Sequence, residues 1–320
     1  MAYYLGIDGG GSKTTCVVGD EVSQLATVTV GPSNITRVGE ARARESFHQA
    51  IGQACAAARI APQQVARACV GAAGAGREEI AGAVRRLVAE VILGEIEVVG
   101  DMEIALAAAF GRGPGVIVIA GTGSIAYGRD AQSRTARAGG WGFAVSDEGS
   151  AHWIGRAAVG GVLRAADQAG DDFPLDDQVE HDRAWPASRL CRELKTALNL
   201  DSLRELASAA NAQADFAVLF PAVLVAAESG DPVARQVIAE ASAELAQLGD
   251  IVMRRLFPVR HSTVLQAVPM AIAGGVFRHA AMIRDLFYNQ VRAANPHVIF
   301  GSEVVDPVQG ALQMARRTAS

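Results

Sequence analysis

The sequence has little lysine, few cysteines and no basic surplus, and each shortage limits what the protein can be. Only two of the 29 basic residues are lysine, Lys13 and Lys195, and 34 acidic residues bring the net charge to −5. Nucleic acid is therefore not expected as a partner, because nothing would neutralise a polyphosphate backbone. The four cysteines and six histidines show no CxxC, HExxH or HxH spacing, which argues against a zinc site and favours a reducing compartment.

Long hydrophobic runs are also missing. No stretch of about 20 apolar residues without charge or glycine occurs, and the N-terminus lacks the charged start and apolar core of a signal peptide. These absences predict a cytoplasmic protein with no membrane partner. What the chain does have is 320 residues, 50% of them hydrophobic and 20% charged, which is enough for two globular domains with cores of their own.

The order of predicted elements is the same in two parts of the chain. Residues 3–30 read as strand, glycine turn, strand and strand, followed by a helix at 39–60, a strand, a helix and a strand that ends at Asp101. After the helix breaker GRGPG the meander starts again in VIVIAGTGSIAYGRD and SRTARAGG, at a spacing of roughly 110 residues. This repetition indicates an internal duplication.

The second copy contains a long insertion. A helical stretch runs from about 150 to 256, interrupted at Phe173-Pro174, Trp185-Pro186 and Gly230-Asp231-Pro232. The strand PMAIAGG, a helix from Val276 to about Ala294, the strand HVIFG and the helix PVQGALQMARR then complete the copy. The pattern predicts an α/β fold with duplicated βββαβα order and a helical insertion in the second half.

The first glycine turn, GIDGGGSKT, comes close to the P-loop pattern without matching it. Ser12 separates Gly11 from Lys13, and the segment continues into a strand where a P-loop continues into a helix. Consecutive glycines can still direct backbone N–H groups at a phosphate. Asp8 would repel that phosphate unless a divalent cation lay between them, so the turn suggests a nucleotide with Mg²⁺. The alternative is an ordinary tight hairpin with a turn aspartate.

Two more glycine turns follow later in the chain. IVIAGTGSIA matches the dinucleotide form GxGxxA, but a strand follows it where the Rossmann fingerprint requires a helix. Its likeness to the first turn is more informative, because two phosphate-binding hairpins, one in each copy, can face each other across a cleft. The third turn, IAGGVF, leads from a strand into a helix and suits either the backbone around an adenosine or a helix N-terminus near a charge.

Two carboxylate features could carry chemistry. Asp101 lies between a strand and a helix, so it is either an N-cap or a functional group at the carboxyl end of a strand. In RAGGWGFAVSDEGSAHWIG, the glycines allow close backbone approach to a ligand, and Ser150 could cap the next helix. Trp141 offers an aromatic face and Asp147 an acceptor for hydroxyls, a combination that suits a small polyol. The alternative for Trp141 is a core anchor.

Seven motifs together resemble a known family. DGGGSKT, GPSN, GDMEIALAAA, IAGTGS, GGWG with DEGS, GGVF and PVQGAL, in this order, are similar to the N-acetylglucosamine kinase branch of the BadF/BadG/BcrA/BcrD family, within the actin, Hsp70 and sugar-kinase superfamily. The resemblance implies two ribonuclease H-like domains around an ATP cleft, 1–113 plus 306–320 and 114–305, and a homodimer. It also implies that the γ-phosphoryl group of ATP, with Mg²⁺, is transferred to the 6-hydroxyl of an amino sugar.

Carried over position by position, the resemblance also implies the site residues. Asp101 would be the general base, although Gly100 precedes it where the branch often has Asn, and Asp8 would reach Mg²⁺ through water. The residues implied for ATP are Asp8, Gly9, Gly10, Gly11, Ser12, Lys13, Gly121, Thr122, Gly123, Gly274, Gly275 and Val276. Those implied for the sugar are Asn34, Asp101, Ser124, Ile125, Gly140, Trp141, Gly142 and Asp147.

The choice of acceptor and two other classes of protein stay open at this stage. N-acetylglucosamine is the first acceptor to consider, with glucosamine and N-acetylmuramic acid as alternatives. An ATPase that activates a 2-hydroxyacyl-CoA dehydratase would need cysteines close to the nucleotide loops, whereas Cys16, Cys55 and Cys69 fall on strands and a helix of the first copy. A sugar-responsive repressor would carry a helix-turn-helix ahead of the first hairpin, whose strand begins at residue 3.

Overall fold

A computed structural model describes residues 2–168, 188–212, 215–258 and 267–317. Within these ranges, ten strands form two five-stranded sheets. The strands of the first sheet, in the order β3-β2-β1-β4-β5, are β1 Tyr3–Gly9, β2 Thr14–Gly19, β3 Gln24–Val30, β4 Val65–Ala72 and β5 Glu95–Gly100. Those of the second sheet, in the order β10-β9-β6-β7-β8, are β6 Gly115–Ala120, β7 Ser124–Arg129, β8 Thr135–Gly139, β9 Val268–Ala273 and β10 Val298–Val305.

The two sheets have the same topology. In each, the first three strands form an antiparallel meander, and the fourth and fifth strands run parallel to the first. The first strand of each copy is therefore the central strand of its sheet and is hydrogen-bonded to a neighbour on each side. The predicted α/β fold with duplicated strand order is confirmed.

Helices follow the strands in the predicted order. The first copy contains α1 Ile35–Ala57, α2 Glu78–Ala89 and α3 Asp101–Phe110. The second contains α4 Ala151–Gln168, α5 Arg189–Leu198, α6 Leu203–Asn211, α7 Phe220–Glu228, α8 Pro232–Leu256, α9 Gly275–His279, α10 Ala281–Ala294 and α11 Pro307–Ala315. The interruption predicted at 230–232 is confirmed, since Asp231 caps α8 and Pro232 begins it. The breaks predicted at 173–174 and 185–186 lie outside the described residues.

Within those same ranges, no single helix is both long and apolar enough to cross a membrane. Two consecutive helical segments, Phe216–Glu228 and Pro232–Leu256, reach that threshold only when taken together, and they are bent by 116° relative to each other.

Two helices differ from their predicted form. The helix predicted from Val276 to Ala294 is broken at Ala280, whose backbone is extended, and Arg284 donates hydrogen bonds to the carbonyl oxygens of Phe277 and Arg278 beside the break. The helix predicted from Gly39 begins at Ile35 but is kinked at Gly39, where φ is 79°. Its apolar stripe therefore starts beyond the kink, as the periodicity indicates.

Each sheet has its own hydrophobic core. Leu5 and Ile7 of the first sheet are fully buried with Phe47 and Ile51 of α1. In the second sheet, Val118 belongs to a larger core that α8 covers. Full burial of one such side chain stabilises a fold by about 1.5–3 kcal/mol, so each copy has a substantial core. We call the first sheet with its helices the N-terminal lobe, and the second sheet with its helices the C-terminal lobe.

Helix α3 connects the two lobes. Its Leu106 packs with Ile117 and Ala271 of the second sheet, whereas Ile104 packs with Cys69 of the first sheet and Ala311 of α11. The two helices cross so closely that a Cβ on Gly310 of α11 would lie 1.9 Å from the Ile104 carbonyl oxygen. Only glycine allows this approach.

Helix α11 returns the chain to the first sheet, on which it packs beside β1. A Cβ on Gly6 of β1 would lie 2.4 Å from the Leu312 backbone nitrogen of α11. The exact domain boundaries inferred from the sequence, at 113/114 and 305/306, stay a prediction.

Candidate functional site

The two phosphate-type hairpins face each other. Ser12 Oγ and Thr122 Oγ1 lie 2.6 Å apart, although 110 residues separate them in the chain. The Gly10 N–H donates to the Lys13 carbonyl at 3.0 Å, and the Gly121 N–H donates to the Gly123 carbonyl at 2.9 Å, so each turn closes on itself. Each continues directly into a strand, which confirms that neither is a P-loop or a Rossmann turn. The structure thus brings the predicted phosphate residues of both copies to one cleft.

Asp8 lies at the end of β1 beside the first hairpin. Burial is the largest cause that raises the pKa of its carboxyl to about 7, the negative charges of Asp101 and Asp306 add to the rise, and the positive charge of Lys13 opposes it. Two further carboxylates therefore lie within electrostatic reach of Asp8. Sequence reasoning missed Asp306, although its position before α11 repeats that of Asp101 before α3 and was the available signal.

The Asp8 position fits a magnesium ion that is bound mainly by other groups. In the described part of the chain, no cluster of three or more His, Cys, Asp or Glu residues could hold a metal ion alone. Mg²⁺ commonly uses one or two carboxylates and takes its remaining oxygens from phosphates and water. The uncompensated charge that raises the Asp8 pKa is what a cation would stabilise. Asp8 as a magnesium residue stays a prediction.

Asp101 is the first residue of α3, not its cap. Gly100 occupies the N-cap position, and its N–H donates to Glu103 Oε1 at 3.1 Å. The N-cap alternative for Asp101 is therefore wrong. Its Oδ1 accepts a hydrogen bond from the Met102 N–H at 3.0 Å, and burial raises its pKa despite this bond. A carboxylate with a raised pKa holds a proton more readily, which is the property that a general base needs.

The loop after β8 brings Asp147 back to the second hairpin. The residue is 7% exposed and has a φ of 64°. A Cβ on Gly123 would lie 2.7 Å from Asp147 Oδ2, so the carboxylate lies directly against the hairpin. Burial raises the Asp147 pKa, hydrogen bonds from the backbone of Ser124 and Gly142 oppose the rise, and the charge of Asp101 adds to it. Asp147 and Asp101 therefore lie within electrostatic reach of each other.

Trp141 stands on the surface of this loop. It is 70% exposed, and the Arg137 guanidinium lies 4.3 Å from its ring centroid. The core-anchor alternative is wrong, because a core anchor would be buried. Ser150 caps α4 as predicted, since its Oγ accepts a hydrogen bond from the Trp153 N–H at 3.1 Å.

Two predicted sugar residues already use part of their hydrogen-bonding capacity within the protein. Asn34 Oδ1 caps α1 by accepting from the Thr36 N–H at 3.1 Å, while the Asn34 N–H donates to the Gly10 carbonyl of the first hairpin at 3.2 Å. Ser124 Oγ donates to the Glu148 carbonyl at 2.7 Å and so holds the loop that carries Asp147. Asn34 is thus attached to the first hairpin and Ser124 to the loop of Asp147, and a sugar would have to use their remaining polar atoms.

The remaining predicted residues differ in how open they are. A Cβ on Gly140 would lie 2.7 Å from Ile125 Cδ1, so these two residues are in contact. Gly274 has a φ of 98°, and a Cβ there would lie 2.2 Å from the Ala120 carbonyl oxygen, which places the third turn directly beside the second hairpin. Gly275 faces open space, with the nearest atom 4.0 Å away. Val276 is 1% exposed and its side chain belongs to the core, so almost none of its surface is accessible to a nucleotide.

The chain is similar to two named kinases along nearly its whole length. It is 31% identical over 318 residues to an N-acetylmuramic acid/N-acetylglucosamine kinase of Clostridium acetobutylicum, covering 99% of both chains. It is 28% identical over 329 residues to an N-acetyl-D-glucosamine kinase of Dictyostelium discoideum, covering 98% of this chain and 97% of the other.

Solved structures share the fold at lower identity. A Chromobacterium violaceum protein of known crystal structure has a TM-score of 0.76 and 23% identity, covering 99% of both chains. A ROK family glucokinase from Streptomyces griseus, in complex with glucose and AMPPNP, has a TM-score of 0.60 and 16% identity, covering 98% of this chain and 99% of that chain. Residues 5–315 match one family along almost the entire sequence, and the chain therefore belongs to the BadF/BadG/BcrA/BcrD ATPase family.

Proposed function

We propose that the protein is a sugar kinase that transfers the γ-phosphoryl group of ATP to the 6-hydroxyl of an amino sugar, with N-acetylglucosamine as the first acceptor to test. The observation that carries the proposal is the meeting of Ser12 and Thr122 hydroxyls at 2.6 Å in a cleft that also contains Asp101 and Asp147. The names of the two kinases at 31% and 28% identity support it.

Phosphoryl transfer asks the protein for positioning and charge neutralisation more than for covalent chemistry. The backbone N–H groups of the two hairpins and the hydroxyls of Ser12 and Thr122 would hold the phosphates. Mg²⁺ near Asp8, when bound, would neutralise charge on the phosphate oxygens. Asp101 would accept the proton of the sugar hydroxyl while its oxygen bonds to the γ-phosphorus and the bond to the β-phosphate oxygen breaks, leaving ADP.

The sugar would lie between the loop that carries Trp141 and Asp147 and the start of α1 at Asn34. Trp141 would cover an apolar ring face and Asp147 would accept hydroxyl protons. Because the cleft lies between the two lobes, their closure would exclude water, which otherwise competes as the acceptor.

The decisive experiment measures ADP release against a panel of acceptors. The panel contains N-acetylglucosamine, glucosamine, glucose, N-acetylmannosamine and N-acetylmuramic acid, and the acceptors are compared by kcat/KM. We expect the highest value with N-acetylglucosamine. A maximum with glucosamine or N-acetylmuramic acid would change the acceptor, and no sugar-dependent ADP release at all would reject the kinase.

An electron-transfer ATPase of the same family is the alternative of another class. A cluster shared between subunits needs accessible thiolates near the nucleotide, whereas all four cysteines of this chain are buried. Burial raises the pKa of Cys55 to about 11 and that of Cys69 to about 12, which keeps these thiols protonated. Iron analysis after anaerobic purification tests this alternative directly.

A homodimer and a cytoplasmic location are also part of the proposed function.

A further inference from the structure

One ion pair joins the two lobes outside the nucleotide hairpins. Arg37 Nη2, in the first turn of α1, is paired with Asp215 Oδ2, which lies in the helical insertion of the C-terminal lobe. The two side chains are 30% and 42% exposed, so the pair is partly accessible to solvent. Neither residue belongs to a motif that the sequence analysis identified.

On the N-terminal side, Arg37 touches the first hairpin. A Cβ on Gly11 would lie 3.4 Å from Arg37 Nη1 and 3.6 Å from its Cδ, so the side chain extends along the hairpin tip. The Arg37 backbone N–H donates to the Asn34 carbonyl at 2.9 Å. Arg37 is thus held between the predicted phosphate hairpin and a predicted sugar residue.

On the C-terminal side, Asp215 is connected to the loop that carries Trp141. Its Oδ1 accepts from the Ala217 N–H at 3.2 Å and caps the short 3₁₀ turn Phe216–Leu219. The Phe216 ring lies 5.4 Å from the His152 ring, and the His152 ring lies 4.9 Å from that of Phe143 in the loop. A continuous series of contacts therefore runs from the tip of the first hairpin to the loop that carries Trp141.

We propose that Arg37 and Asp215 are positioning residues that couple the two substrate sites, so that binding of the sugar strengthens binding of ATP and the reverse. The inference rests on the proposed function for the identity of the two ligands. The ion pair can form only when the lobes approach each other. Its partners are fixed to different parts of the proposed site, Arg37 to the first hairpin and Asp215 to the contacts that lead to the loop of Trp141. Reciprocal coupling between sites is the thermodynamic signature of such a contact.

The test is calorimetric titration with a non-hydrolysable ATP analogue, with and without the acceptor that the wild-type enzyme uses best. In the wild type we expect the acceptor to lower the Kd of the analogue. In Asp215→Asn and Arg37→Gln we expect this coupling factor to fall by roughly twofold to fivefold, the range for a partly exposed charge pair at ordinary salt. The affinity for each ligand alone should stay within about twofold, since each binary site keeps its own contacts.

The variants separate coupling from damage to the fold. Asn at 215 can still cap the 3₁₀ turn, because Asn and Asp are comparable caps. Arg42→Gln is the matched control, since it removes a charge from α1 whose partner, Glu45, lies on the same helix. The exchanged pair, Arg37→Asp with Asp215→Arg, should recover at least part of the lost coupling.

The outcomes distinguish this inference from the proposed function. Unchanged coupling in both single variants, or an equal loss in Arg42→Gln, would overturn the role of Arg37 and Asp215 while the kinase stands. The role of Arg37 and Asp215 would be established if the single variants lose coupling and the exchanged pair recovers it. If the wild type phosphorylates no acceptor in the panel, the proposed function fails and this inference fails with it.

Discussion

The two copies of the fold place an aspartate at the same point, yet the two aspartates differ in environment. Asp101 follows β5 and begins α3, and Asp306 follows β10 and occupies the N-cap position of α11. Asp101 is partly buried and accepts the Met102 N–H, whereas Asp306 is exposed and its side chain makes no capping hydrogen bond. The duplication thus provides two positions for a base, and desolvation raises the proton affinity of Asp101.

The two hairpins differ in a related way. The first carries the carboxylate of Asp8 and the ammonium of Lys13, and the second, from Gly121 to Gly123, carries no charged side chain. Both contribute a hydroxyl to the cleft. Under the proposed function, phosphate positioning would therefore be shared between the copies, while the cation would be held by the first copy.

Replacing Asp101 should have the largest effect on activity, and it tests the difference between Asp101 and Asp306 directly. We expect Asp101→Asn to lower kcat by about 10²-fold or more, the usual scale for loss of a general base, with ATP binding kept. Asp306→Asn is the matched control and should lower kcat far less, because its carboxylate is exposed. A coupled ADP assay measures both, and a near-wild-type rate for Asp101→Asn would remove Asp101 from that role.

Replacing Asp8 should make the fold more stable at the cost of activity. The folded-state pKa of about 7 lies above the ordinary 3.8, so the stability that protonated Asp8 contributes is complete below pH 4 and lost as pH rises through 7. In EDTA, we expect Asp8→Asn to raise the melting temperature by roughly 5 °C at pH 8, with the gain shrinking to nothing near pH 4. Lys13→Gln is the control and should show no such gain in melting temperature, because the Lys13 charge opposes the rise in the Asp8 pKa. A gain in Asp8→Asn that does not depend on pH would contradict an origin in the Asp8 carboxylate.

The paired hydroxyls should act together on ATP. Ser12→Ala and Thr122→Ala should each raise the KM for ATP by about tenfold, because a hydrogen bond to a charged oxygen contributes on the order of 1.5 kcal/mol. The double variant should fall short of the product of the two effects, since the hydroxyls are in contact. Initial rates at saturating sugar measure this, and strictly multiplicative effects would show that the hairpins bind phosphate independently.

Replacing Trp141 should have the smallest effect, and it should change only the KM for the sugar. We expect Trp141→Ala to raise the KM for the acceptor by roughly threefold to tenfold, in keeping with about 0.5–1.5 kcal/mol for an aromatic contact, and to leave the KM for ATP unchanged. Trp141→Phe should keep most of the affinity. Equal changes in both KM values would assign the ring to holding the loop, where it contacts Arg137.

Much of the fold could be predicted because its signals are local. Alternating residues in β1 to β3, glycines in the turns and Pro232 at the start of α8 act over a few residues, so their pattern survives without tertiary information. The break at Ala280 could not be predicted, because Arg284 supports it from the next helix. The N-cap alternative for Asp101 is wrong by one residue, and the sequence could not decide this because both Gly100 and Asp101 are acceptable caps.

The sequence by itself determined the two copies, the glycine hairpins and the carboxylates at strand ends, since each depends on neighbouring residues. Only the tertiary structure decided which of these groups meet. It brought Ser12 to Thr122 across 110 residues, Asp147 against Gly123, and Arg37 to Asp215. It also decided the proton affinity of Asp8 and Asp101, because a pKa depends on burial and on charges that come from distant parts of the chain.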